Sequence, residues 1–390
     1  MTPLTDPTEK IPLWRDDRFW RIAIQIIVLV VVVAIGLILL GNMNRNLQQL
    51  GRQFDFSFLQ NRAGFNIGES IVPYETNDTY FWAFCVGFLN TLRLVLISLI
   101  VTTVIGVVAG IASFSDNWLL QKISWIYVEI SRNIPPLLQL FFWYFVIFFG
   151  LSQGAAVTRL PGSVLVSKKG IVIPWPANTS ATWLCLAVLI VTAIVAVLVW
   201  RWRIKLMEEQ GASGKPQQYT LIGLGIIALL IFLFGLGWQF PQVAASGNVE
   251  GGLRMSLEYS AMMMGLAFYT GGFVAEVVRG GIQSVSKGQW EAAEALGLRS
   301  GLLMRLVVLP QALRVIIPSL NSQYINLAKN SVLAVAIGYP DFFATGLTTQ
   351  NQTGRAVEFV LLLMVVYLSM TLSISFLMNL FNRFVQIRER

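Results

Sequence analysis

The 390-residue chain contains no histidine. That absence removes imidazole general-base catalysis, Ser-His-Asp hydrolysis and histidine-ligated metal sites together. Charge is scarce as well: Asp, Glu, Lys and Arg make up 12% of the residues, about half the ~25% of a soluble domain. The two cysteines, Cys85 and Cys185, each lie inside an apolar stretch, so neither a disulfide nor a thiolate metal site is expected. There is no phosphate-binding loop. The nearest approach, Gly211-Ala-Ser-Gly214-Lys215-Pro216, has the wrong spacing and a proline where Ser or Thr is required. No internal repeat or low-complexity tract is present. Without histidine or a clustered catalytic pair, an intramembrane enzyme is a poor fit.

What the chain has instead is apolar length: 55% of its residues are hydrophobic. The run 22–40 carries no charge and is long enough to cross a bilayer core as a helix. It is too long for a cleaved signal, and no small-x-small site follows it. Eight spans are expected, at 22–40, 88–113, 134–151, 182–200, 219–239, 256–277, 318–337 and 357–381. An even number puts both termini on one side. That side carries Lys10, Arg15, Arg18, Arg21, Lys122, Arg132, Arg201, Arg203, Lys205, Lys215, Arg279, Lys287, Arg299, Arg305, Arg314, Arg383, Arg388 and Arg390. The opposite loops carry only Arg45, Arg52, Arg62, Arg159, Lys168, Lys169, Arg254 and Arg355. Cytoplasmic loops are enriched in Lys and Arg, so both termini and the segment 278–317 are expected in the cytoplasm. The net charge of +8 is this asymmetry, not the footprint of a nucleic-acid partner.

Four segments follow: 1–87 (a tail, the first membrane helix and a polar external loop), 88–151 (the first part of a core), 152–255 (an insert with two apolar helices and Pro/Gly-rich loops) and 256–390 (the second part of the core). The segment 278–317 lies within the last. In it, Ser286 followed by Gln289 has capping-box spacing, and alanines favour helix over 287–296. Gly297 suits the left-handed residue that ends such a helix. Ser300 is placed to cap a second helix over 301–309, which Pro310 should help terminate. Two short helices at an angle make a rigid knob. Glu291 and Glu294 sit in the first half of the first helix, where carboxylates suit the dipole. Ala292, Ala293 and Ala295 are small enough for a partner's groove to approach.

Residues 291–310, EAAEALGLRSGLLMRLVVLP, carry the most specific signal. Glu291-Ala292-Ala293, three residues, Gly297, nine residues and then Val307-Val308-Leu309-Pro310 resemble the EAA loop of bacterial ABC-importer permeases, with Val for Ile as the one departure. Arg132-Asn133-Ile-Pro-Pro, Gly87-Phe-Leu-Asn-Thr-Leu-Arg93 and the segment 267–289 resemble polar amino-acid permeases. The resemblance covers about 88–151 and 256–385, while the first span and the insert look like the larger permeases of general L-amino-acid importers. It implies an all-α integral membrane protein with a type I ABC-importer fold, a five-helix core plus an N-terminal helix and a two-helix insert. It further implies a cytoplasmic ABC ATPase dimer docked on Glu291, Ala292, Ala293, Glu294, Gly297, Leu309 and Pro310, with ATP and Mg²⁺ held by that partner and no cofactor on this chain. A second, unlike permease, a periplasmic amino-acid-binding protein and an L-amino acid substrate complete the expected set. The alternative is a stand-alone secondary transporter or channel.

Ionisable residues in or at the ends of spans are functional candidates, because charge at bilayer depth is costly. Lys329, with Asn330 and Ser331, could receive a substrate carboxylate, and Glu258 or Glu358 its ammonium; the other reading of Lys329 is a structural ion pair. Arg93 either contacts substrate or snorkels to the interface. Glu276 and Arg279, close to the cytoplasmic boundary, are expected to brace the loop.

Overall fold

Apolar runs with few charges become long helices, since a helix satisfies every backbone group within itself. In a computed structural model of the chain, residues 17–49, 51, 53–153, 157–210, 213–244 and 249–385 are described. Lys10, Arg15, Arg52, Arg388 and Arg390 of the charge count lie outside them, as does Gly211. In chain order the helices are α1 (Asp17–Gln49), α2 (Tyr80–Ala112), α3 (Trp118–Asn133), α4 (Pro136–Ser152), α5 (Ser180–Gln210), α6 (Lys215–Gly235), α7 (Leu257–Gln283), α8 (Lys287–Ala295), α9 (Ser300–Ile337), α10 (Phe342–Thr353) and α11 (Ala356–Val385). Among the described residues seven of them are long and apolar enough to cross a membrane, and the bent pair α3–α4, taken together, is long and apolar enough to be an eighth span or a re-entrant loop.

The bend is the first departure from expectation, because 114–133 reads in sequence as a connection. Asn117 caps α3, accepting from the amides of Leu119 and Leu120. Pro135 and Pro136 end it, forcing Ile134 into extended backbone, and α4 leaves at 112°. The helix is amphipathic, with Leu119, Ile123, Trp125 and Ile126 exposed along it.

The insert is the second departure, since its Pro/Gly-rich loops contain short strands. β1 (Thr158–Leu160), β2 (Val164–Ser167) and β3 (Gly170–Ile173) form an antiparallel sheet. Pairs β4/β5 (Trp175–Pro176 with Trp238–Gln239) and β6/β7 (Gln242–Val243 with Val249–Glu250) follow. β8 (Leu253–Met255) closes the sheet against β3, Val172 opposite Arg254. Val166, Ile171 and Met255 join one apolar cluster with Leu140 of α4 and Leu257 of α7. The insert therefore begins and ends on the same cap, and α5 and α6 extend from it as a hairpin.

The core is built on α2 and α7, which approach through glycine. A Cβ on Gly106 would lie 2.5 Å from Val274 Cβ, and one on Gly110 2.7 Å from Val278 Cβ. On other faces of α7, Gly271 meets Tyr127, Gly272 meets Ser131 and Gly281 meets Ile316. Small residues let membrane helices pack by direct contact where lipid removes the hydrophobic incentive to associate.

A polar clamp closes the loop end of this core. Glu69, in the segment between α1 and α2, pairs with Arg93 Nη1 at 2.8 Å and accepts from the Ser256 hydroxyl that caps α7. Asn90 donates to the carbonyls of Glu69 and Pro340, both at 2.8 Å, and the Arg93 guanidinium lies 4.1 Å from the centre of the Tyr259 ring. The turn before α10 is buried in the same place: Tyr339 donates to the Asn90 carbonyl at 3.2 Å and the Phe342 amide to Thr91 Oγ1 at 2.9 Å. Asp341 caps α10, its Oδ1 accepting from the Ala344 amide at 2.7 Å, while its buried Oδ2 has no hydrogen-bond partner among the described residues. Burial pushes this carboxyl up to about 7.

Gly106→Ala should destabilise the detergent-solubilised protein by roughly 1–3 kcal/mol through overpacking, whereas Gly280→Ala, which meets nothing within 4 Å, should not. Thermal unfolding of the two variants tests this. Asp341 sets a pH dependence with a definite sign. Its folded-state pKa is raised, so the folded protein holds a proton that the unfolded chain releases, and stability falls as pH rises from ~4 to ~7 and then levels. Asp341→Asn keeps the capping oxygen and should flatten that part of the melting-temperature profile; an unchanged slope would show that Asp341 does not set it.

Candidate functional site: a knob and a cavity on shared helices

α8 and the first turns of α9 form the knob. Gly297, at φ 72°, closes α8 with two bonds, its own amide to the Glu294 carbonyl (2.8 Å) and the Leu298 amide to the Ala293 carbonyl (3.2 Å). This is the paired closure that a left-handed residue permits. The expected capping box does not form. Ser286 occupies the N-cap with extended backbone, but its side chain accepts no capping bond. The Gln289 side-chain oxygen accepts from Gln311 Nε2 at 3.2 Å instead, tying α8 to α9.

The second helix also differs from expectation. Arg299, not Ser300, is its N-cap, and it does not stop at Pro310 but runs on through Ile337. A π-helical stretch, Met304–Val308, precedes the proline. A widened turn is a recognised way to fit a residue that lacks an amide donor and crowds the preceding carbonyls.

Exposure divides the knob residues. Ala293 is buried with Leu303 and Val308, in one cluster with Val278 and Ile282 of α7 and Ala312 and Ile316 of α9. It fixes the knob to the body and is unavailable to a partner. Glu291, Ala292, Glu294 and Ala295 face outward, Leu309 is exposed and Pro310 half-buried. Leu296, not singled out from the sequence, is 80% exposed at the tip. Its place directly before the turn glycine is the signal that could have singled it out.

Midway along α7 a cavity of about 230 Å³ lies against α9. It is lined by Tyr269, Thr270 and Phe273 of α7 and by Gln323, Asn326, Lys329 and Asn330 of α9. Lys329 and Asn330 thus share one cavity. The Thr270 hydroxyl is buried without a hydrogen-bond partner. Thr270, Gln323 and Asn326 were missed in the sequence, although polar residues inside an apolar span are a usable signal.

The remaining charged candidates sit elsewhere. Glu358, only 1% exposed, accepts from Arg355 at 3.0 Å and from the Asp55 amide at 3.3 Å, pinning the loop before α2 to α11. Glu258 accepts from the Tyr144 hydroxyl of α4 at 3.0 Å. Arg93 does not line the cavity; Glu69 and Tyr259 hold it at the loop end. Glu276 accepts from Arg279 Nε at 3.0 Å and lies 3.8 Å from Arg132, so these residues brace α3 against α7 rather than the knob. No carboxylate among the described residues lines the Lys329 cavity.

Residues 102–390 match the family model described as binding-protein-dependent transport system inner membrane component. The chain is 39% identical over 381 residues to the general L-amino acid transport system permease protein AapQ of Rhizobium johnstonii, covering 96% of this chain and 94% of that one. It is 40% identical over 370 residues to the putative amino-acid ABC transporter permease protein YhdX of Escherichia coli, covering 94% of each. With the glutamate/glutamine/aspartate/asparagine transport system permease protein BztB of Rhodobacter capsulatus it shares 39% identity over 409 residues and 96% of each chain. A solved structure, a crystal structure of an amino acid ABC transporter with histidines, aligns at 21% identity with a TM-score of 0.47, covering 78% of this chain and 94% of that one. This multi-span membrane protein belongs to the family of binding-protein-dependent transport system inner membrane components.

Proposed function

We propose that the chain is the membrane-spanning permease subunit of an ATP-driven ABC importer for L-amino acids. The observation that carries this reading is the end-to-end similarity, insert included, to permeases whose names specify amino-acid transport. The protein sits in the bacterial inner membrane with both termini cytoplasmic, as the excess of Lys and Arg on the knob side supports. A periplasmic binding protein delivers substrate, a second and unlike permease completes the pathway, and an ABC ATPase dimer carrying ATP and Mg²⁺ docks on the knobs. This chain holds no cofactor.

The mechanism follows from the shared helices. The knob is cemented by Ala293, Leu303 and Val308 to α7 and α9, the two helices that line the Lys329 cavity. Displacing the knob when the ATPases close therefore shifts both walls of the cavity together. Lys329 receives the substrate carboxylate. The ammonium is met by neutral acceptors, the side-chain oxygens of Gln323, Asn326 and Asn330 and the Thr270 hydroxyl, in place of the Glu258 or Glu358 expected from sequence. A cavity with one cation and no carboxylate favours acidic and neutral amino acids over basic ones. Pumping requires that the two access states differ in affinity, which movement of these walls supplies.

Leu296→Asp places a carboxylate on the exposed tip of the knob without disturbing its core, and should abolish co-purification of the ATPase while the permease still inserts. Retention of a stoichiometric ATPase by that variant would remove the docking role. Lys329→Ala should leave the complex assembled and lower glutamate uptake roughly tenfold, the worth of one charge-assisted hydrogen bond. Equal uptake in wild type and variant, for glutamate and glutamine alike, would take Lys329 off the path.

A further inference from the structure

A second polar cavity, of about 310 Å³, lies where α3 crosses α2 and α7 near the knob end of the membrane. Lys122, Arg132 and Arg279 line it, with Glu129 and Glu276 and the polar side chains of Gln121 and Ser113. Its charges are not balanced. Glu276 is occupied by Arg279 and Arg132, and Glu129 accepts from Asn133 at 2.7 Å. Lys122 makes no ion pair among the described residues, and its ammonium lies 5.4 Å from the centre of the Trp125 ring. A cation with an adjoining tryptophan on an amphipathic helix is the arrangement that sits at headgroup level.

The flank of the same crossing is apolar. A groove of about 380 Å³ runs between α2 and α3, lined by Val104, Ile105, Val108, Leu120 and Ile123, and it shares Ser124 with the polar cavity. The Ser124 hydroxyl donates to the Ala109 carbonyl at 2.7 Å, which fixes the crossing between the two spaces. An excess of positive charge beside an apolar groove, at the knob end of these helices, is complementary to an amphiphile with an anionic head. We propose that this crossing binds a glycerophospholipid of the knob-side leaflet, its phosphodiester held in the cavity by Lys122 and its acyl region against α2 and α3. Basic pockets between membrane helices bind lipid phosphates by the same attraction. The site shares no lining residue with the Lys329 cavity, although its Arg132 lies over the Phe273 ring that lines that cavity.

The test uses the full-length chain purified with its partners in detergent and titrated with palmitoyl-oleoyl phosphatidylglycerol, with bound lipid counted by native mass spectrometry. Lys122→Gln removes the cation, and Gln121→Glu sets a carboxylate beside it; both positions are exposed, and neither pairs with a charged residue. Each should weaken binding roughly fivefold, the worth of one basic side chain at a membrane surface. Lys287→Gln, on the knob, should bind as wild type. Dioleoylglycerol, which lacks the phosphate, should not compete. Wild-type binding by both pocket variants would overturn the site. Displacement of the lipid by equimolar inorganic phosphate would overturn the lipid as its source.

Discussion

The approach of α2 to α7 through glycine is the contact on which the rest of the molecule depends. Lipid tails are as apolar as leucine, so burying leucine between helices gains little in a bilayer, and association rests on close, well-shaped contact. Gly106 and Gly110, one turn apart, receive Val274 and Val278, also one turn apart. α7 then presents further glycines to its other neighbours, Gly271 and Gly272 to α3 and Gly281 to α9. One helix thereby holds three partners at short range. Both the knob and the Lys329 cavity are extensions of its faces.

The two ends of this assembly are fastened by different physics. At the loop end the fastening is polar and directional: Glu69, Arg93, Asn90 and Ser256 join segments far apart in sequence. At the knob end it is mainly an apolar cluster, from Val274 through Ala293 to Leu320, with the Gln289–Gln311 bond at its edge. Directional bonds hold a fixed geometry, whereas apolar packing allows a rigid knob to transmit force to the two helices it touches. The Lys329 cavity lies between these fastenings.

Much of this was legible in the residues, and the failures share a cause. The spans, the left-handed Gly297 and the helix over 287–296 follow from local rules of hydropathy and backbone conformation, which a single sequence contains. The capping box failed because Gln289 had a competing partner, Gln311, brought near only by the fold. Pro310 did not end its helix because a widened turn preceded it. Arg93, Glu258 and Glu358 each found a partner 24 to 303 positions away, and no local rule reveals such pairs. The β2–β3 hairpin was within reach: Val-Leu-Val and Ile-Val-Ile flank Ser167-Lys168-Lys169-Gly170, two β-branched runs around a short turn. Strands of four residues are easily passed over beside helices of thirty.

No residue in the most apolar 18-residue stretch of α1 or α6 is buried within the chain, and only 6% of that stretch of α5 is. The crossing part of α1, 28 residues, rises roughly 42 Å at 1.5 Å per residue, against a hydrocarbon core of ~30 Å. A helix that overshoots must tilt, or carry its ends out among the headgroups. No closely packed neighbour among the described residues sets that angle, so within this chain it is left to the anchors at the helix ends, Trp20 and Arg21 on one side and Asn44 and Arg45 on the other. Within this chain α1 is therefore left to follow the thickness of the bilayer, while the close glycine contacts of α2 and α7 fix their own spacing.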